Sequence, residues 1–197
     1  MLNEKLKNHN IILASGSPRR QEFFKNLGLD FEIRLKPVKE EYPQRLTHFE
    51  ISNYLAQLKA LPFKDELSPT DILITSDTIV WHDNMALGKP RDEDEAFSML
   101  KSLSNKTHEV ITSVSFTTTT FEKTLYNITK VTFKALSDQE ILYYINTYKP
   151  FDKAGAYGIQ EWIGQIGVTK IEGSYFNVMG LPVHLVYKTL NTIAETT

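Results

Sequence analysis

The chain has 197 residues, 41% apolar and 23% charged, and its 22 Lys+Arg against 24 Asp+Glu leave a formal net charge of −2. At about 150 residues per domain, that is one domain or two small lobes sharing a core. The absence of Cys excludes disulfides, zinc fingers, thiolate catalysis and iron–sulfur clusters, while 11 Phe, 9 Tyr and 2 Trp are too much core for a disordered chain.

No apolar run approaches the roughly 20 residues of a membrane span. The polar start MLNEKLKNHN lacks the apolar stretch of an export signal. The expectation is a cytoplasmic protein with no membrane partner. The near-neutral charge gives no reason to expect nucleic-acid binding, although residues 1–39 hold eight Lys/Arg against four Asp/Glu.

In chain order, Ile11–Ala14 reads as a short buried strand. Ser17-Pro18 opens a helix, with Ser at the N-cap, Pro at N1 and Phe23, Phe24 and Leu27 as its buried stripe. Gly28 is the expected stop, and Phe31–Leu35 a second strand. Thr47–Glu50 is a capping box for a helix reaching about Leu61, before Pro62. Ile72–Trp81 reads as a strand and His82-Asp83-Asn84 as a hairpin turn. Asp92–Glu95 starts an acidic-ended helix, with Ala96, Phe97, Leu100 and Leu103 as core. Val110–Thr119 and Leu125–Phe133 are β-rich, with a turn near Glu122-Lys123 and the run Thr117–Thr120 read as strand. Ser137–Glu140 is a second capping box, for a helix to about Tyr148, and Pro182 begins a last helix through Leu190. Helices alternate with strands, but some strands are adjacent, so a mixed α/β sheet is expected and not a doubly wound parallel one. Six of the nine glycines fall between 155 and 180. They read as hairpin turns in a β segment, or as close backbone approach to a ligand.

Common catalytic and phosphate-binding signatures are absent, and His9, His48, His82, His108 and His184 have no metal-ligand spacing. Three segments remain. Ser15-Gly16-Ser17-Pro18-Arg19-Arg20 lies where a strand gives way to a helix N-terminus. Its amides, hydroxyls and guanidiniums suit an anion, although a plain N-cap with two solvated arginines would look the same. Asp77, within Thr75-Ser76-Asp77-Thr78, is a carboxylate in an apolar strand; burial would demand a cation, and a strand-end position facing water would not. Leu87-Gly88-Lys89-Pro90 can bring a cation near the same sheet end. The third segment, Phe151–Gln160, joins Lys153 to an amide suited to a nucleobase edge. Together they propose a polyphosphate site with a carboxylate for magnesium or manganese, and Glu40-Glu41 can supply a second one.

Ser15–Arg20, Ser76-Asp77-Thr78, Gly88-Lys89-Pro90, Thr107-His108 with Val110, and the block Asp152–Pro182 resemble, in order and spacing, the Maf family of nucleoside triphosphate pyrophosphatases. The resemblance spans about residues 11–190 and implies a single Maf-like domain over 1–197. It implies an elongated mixed β-sheet flanked by helices in an α/β fold, with two lobes and a central cleft, like the inosine triphosphate pyrophosphatases. It also implies hydrolysis of a nucleoside triphosphate to monophosphate and pyrophosphate with a divalent cation, and leaves room for a homodimer. The stretches Ala154–Gln160 and Ile171–Tyr175 resemble the branch acting on dTTP and UTP. Alternatives are a 7-methyl-GTP or inosine triphosphate preference, or a non-enzymatic nucleotide-binding regulator of cell division. By resemblance, Asp77 is the general base, and Arg19, Thr78 and Gln160 select substrate. Ser15, Ser17, Arg20, Lys59, Lys89 and Lys153 are further polar site residues, and Glu40 joins Asp77 as a metal ligand. Two departures are visible. Pro37-Val38-Lys39-Glu40 keeps only the last acid of the family's Asp-x-Asp-Glu, and Ser113 stands where the family usually has Gly, in an expected turn.

Overall fold

The computed structural model describes residues 1–196 and gives one seven-stranded mixed sheet, ordered β2-β1-β3-β5-β6-β7, with β4 paired to β3. The chain divides into two compact units. One comprises Met1–Asp77, Thr112–Asn127 and the chain from Gly180 onward; the other comprises Thr78–Ile111 and Ile128–Met179. The strands β3 (Asp71–His82), β5 (Thr107–Thr117) and β6 (Glu122–Phe133) each give residues to both.

In the first unit, β1 (Asn10–Leu13) runs parallel to both β2 (Glu32–Ile33) and β3, with Leu13 opposite Ile33 and Ile74. Parallel neighbours need crossovers, and α2 (Pro18–Asn26) and α3 (Phe49–Ala60) lie in them. Ile11, Ile12, Leu13, Ile72, Leu73 and Ile74 are all buried, the continuous apolar run of a strand covered on both faces. The short α1 (Leu2–Lys5) packs on α8 (Val183–Thr196). Gly28 takes φ +67 after the C-cap of α2, as expected. The second strand is shorter than its sequence pattern, two residues instead of Phe31–Leu35. The Thr117–Thr120 reading needs correction too. Only Thr117 is strand; the Thr118 hydroxyl accepts from the amides of Thr120 and Phe121, so the turn comes before Glu122, which already lies in β6. A threonine hydroxyl that can satisfy two turn amides competes with the ladder. Ser113 lies in mid-β5 and not in a turn, its hydroxyl bonded to Ser52 and Asn53 of α3 at 2.7 Å each.

In the second unit, Asp83 and Asn84 turn at φ +48 and +61 into β4 (Met85–Leu87), the left-handed pair of a tight hairpin. α4 (Glu93–Leu103) is capped by Asp92 and packs on α5 (Asp138–Tyr148). The Ser137–Glu140 capping box makes both reciprocal bonds. Val80, Leu100, Leu103, Val131, Phe133, Ile141 and Tyr144 centre the core. The glycine-rich block does not form β-hairpins. It builds a 3-10 turn over 154–156, α6 (Trp162–Gly167), β7 (Val168–Glu172) and α7 (Tyr175–Val178). A Cβ on Gly164 would stand 1.9 Å from the Ile159 carbonyl oxygen, so this glycine serves a backbone crossing within the chain itself. No helix among the described residues is long and apolar enough to cross a membrane.

Candidate active site

The residues expected to handle phosphate fall into two groups. In the first unit, β1 ends in a bend where the buried Ser15 accepts from the Ser17 amide (3.3 Å). Ser17 is the N-cap of α2, but its hydroxyl caps nothing there, and the first turn carries no acid. Arg20, one turn in, donates from Nε to the Gly180 carbonyl (2.7 Å) and from Nη1 to the Ser76 carbonyl (3.0 Å). It therefore braces the strand that carries Asp77.

Asp77 is 5% exposed on β3. Alternation along the strand sends Thr75 and Asp77 to one face, and α3 meets both: Thr75 donates to the Ala56 carbonyl, and Lys59 Nζ sits 2.5 Å from Asp77 Oδ1. The same ammonium lies 3.1 Å from Glu40 Oε1. Glu41 instead pairs with Lys39 at the surface, so Glu40 is the acid beside Asp77. Burial pushes the Asp77 carboxyl above the usual carboxylate range; Lys59 and Arg20 pull it back, and Glu40 adds to the rise. Burial lowers the Arg20 guanidinium, with Asp77 opposing.

The second unit holds the rest. Thr78 follows Asp77 directly on β3 and is half-buried. The exposed Lys89 follows Gly88, whose carbonyl accepts from the Gly155 amide (2.9 Å) and so ties the Lys89 segment to the Lys153 turn. Lys153 is buried, with Nζ 2.7 Å from Asp152 Oδ1 and 3.2 Å from Glu161 Oε1. Gln160 is half-buried on the same turn.

Two polar residues were not singled out in the sequence. Tyr144 looks like core in the stripe of α5, yet its hydroxyl donates to Glu161 and accepts from the Gly158 amide. Glu161 had a legible signal, an acid in a glycine-rich and otherwise mostly apolar block.

No group of three or more His, Asp or Glu among the described residues is placed to hold a metal ion by itself. Asp77 and Glu40 nevertheless share one cation, the Lys59 ammonium. Two hard carboxylates of this kind, with phosphate oxygens completing the shell, are the donor set magnesium takes.

A family described as Maf-like protein matches residues 10–193. The chain belongs to the Maf-like family. This Maf-like chain is 65% identical to a dTTP/UTP pyrophosphatase of Flavobacterium johnsoniae, over 98% of the chain and 100% of the relative. It is 61% identical to one of Flavobacterium psychrophilum, over 95% of the chain and 96% of the relative. Among solved structures, the Ham1 protein of Staphylococcus aureus matches with a TM-score of 0.53 at 16% identity, covering 93% of this chain and 99% of that one. That likeness carries the mixed α/β fold alone.

Proposed function

We propose that this Maf-like protein is a nucleoside triphosphate pyrophosphatase acting on dTTP and UTP. The observation that carries the reading is the near-full-length identity to relatives bearing that name. The residues are suited to it. Water attacks the α-phosphorus, the bond to the β-phosphate oxygen breaks, and pyrophosphate leaves. The proton of the attacking water goes to Asp77, whose burial makes it a stronger base than an exposed carboxylate. Lys59 fixes the Asp77 carboxylate in place. Arg19, Arg20, Lys89 and Lys153 hold the triphosphate, as guanidiniums and ammoniums suit its charge. Ser15 and Ser17 add hydroxyls at the start of α2, and Thr78, Arg19 and Gln160 choose the base. Glu40 and Asp77 would hold a divalent cation, magnesium or manganese, which supplies charge neutralisation on the phosphate oxygens. We take the two units as one functional domain working in the cytoplasm.

The test is a panel of UTP, dTTP, 7-methyl-GTP and inosine triphosphate with both products identified. Expected are UMP or dTMP with pyrophosphate. A nucleoside diphosphate with orthophosphate overturns the reaction, and a preference for 7-methyl-GTP overturns the specificity.

A further inference from the structure

At the turn from Lys153 to Glu161, two polar side chains, those of Tyr144 and Glu161, have no part in the proposed reaction. The Tyr144 side chain is fully buried. Its hydroxyl donates to Glu161 Oε2 and accepts from the Gly158 amide (3.0 Å), so the tyrosine ties a carboxylate to the backbone. The other carboxylate oxygen, Glu161 Oε1, faces Lys153 Nζ. A Cβ on Gly158 would lie 2.8 Å from Glu161 Cδ and 3.1 Å from Gln160 Nε2. The glycine therefore makes room for both side chains over one Cα atom.

Lys153 has two carboxylate partners of different kinds. Asp152 is 64% exposed, whereas Glu161 is 18% exposed and anchored by Tyr144. An exposed pair fixes geometry weakly, because water and side-chain entropy compete with it. A buried ammonium held by an anchored carboxylate has one place to be.

We propose that Glu161 is a positioning residue, which sets the Lys153 ammonium on the same turn as the Gln160 amide to receive a phosphate of a nucleoside triphosphate. This rests on the function proposed above. Glu161 acts through Lys153, and Tyr144 acts through Glu161.

A double-mutant cycle on the full chain tests it, with UTP hydrolysis and magnesium. Displacing a positioned group by about 1 Å can cost up to about 100-fold in rate, so Glu161→Gln is expected to lower kcat about 10–100-fold with KM nearly unchanged. In a Lys153→Met background the same substitution is expected to cost nothing further. Tyr144→Phe keeps the ring, removes the hydroxyl, and is expected to give a smaller kcat loss that also vanishes in that background. It carries the cycle if thermal melting shows Glu161→Gln to be unfolded. Additive losses, an unchanged kcat, or a change confined to KM would overturn the positioning role while the enzyme reading stands. A wild-type protein without turnover overturns both.

Discussion

The molecule holds a mostly buried ammonium in each unit, and the two are built differently. Lys59 reaches from α3 to Asp77 on β3 and to Glu40 in the loop before the helix, so three separate stretches of chain converge on it. Lys153 finds both its acids within eight residues along the chain, Asp152 and Glu161, and a tyrosine supports the second. The first arrangement depends on helix α3 packing over β3. The second depends on the local path of a turn, set by Gly155 at φ +68 and by the bare Cα of Gly158. A long-range pair reports on the tertiary fold, and a local pair reports on loop conformation.

Substitutions can separate the two. The largest effect is expected from Asp77→Asn, which keeps the shape and removes the base. The loss is about 10²–10⁴-fold in kcat, read by pyrophosphate release. An enzyme active after this change would end the general-base role. Lys59→Met leaves the buried Asp77 with its amine gone, and removing one partner of a buried pair costs about 3 kcal/mol or more. Urea denaturation at pH 7 measures this, and the loss should shrink in acid as Asp77 takes up a proton. Lys153→Met is expected to spare the fold more, because Asp152 is exposed and Glu161 keeps the Tyr144 hydroxyl as a partner, and to act mainly on turnover.

A third comparison uses His108, which bonds Tyr157 at 2.7 Å in the second unit and has its pKa pushed down to about 3, first by burial and then by His82. The neutral ring is native, whereas in the unfolded chain it protonates below about pH 6.5. Its contribution is therefore complete above that pH and is lost as the pH falls toward 3, at a slope approaching about 1.4 kcal/mol per pH unit. His108→Gln should flatten that dependence in acid denaturation curves. The smallest effect belongs to Ser113→Ala, about 1 kcal/mol by chemical denaturation, since Ser52 and Asn53 lose a buried hydroxyl.

Much of this was legible in the sequence where one stretch carries its own instructions. Ser137–Glu140 encodes both bonds of a capping box, and the positive φ of Asp83 and Asn84 follows from residues that tolerate it. Signals failed where a residue had two local options. Thr118 reads as strand by propensity, yet its hydroxyl satisfies turn amides. Gly164 and Gly167 read as turn formers but lie in α6, because the need at 164 is space beside the Ile159 carbonyl. Within the candidate site, Ser15–Arg20 and Asp77 stood out by composition. That Lys59 is the partner of Asp77, and Glu40 the second acid on Lys59, required approaches between residues 18 and 19 positions apart, which no local pattern encodes. The carbonyl contacts of Arg20 were equally hidden, since a backbone oxygen has no letter in the sequence.

The bond from the Gly155 amide to the Gly88 carbonyl has a wider consequence. It fastens the strand end before Lys89 to the turn after Lys153 using main-chain atoms alone. Replacing either lysine alters the charge presented but leaves the clasp intact. Position 155 has no such latitude, because a methyl there would press to 2.7 Å from the Val80 side chain. The spacing of the two lysine segments therefore rests on main-chain atoms and one glycine, and the two ammoniums themselves are left to meet other charges.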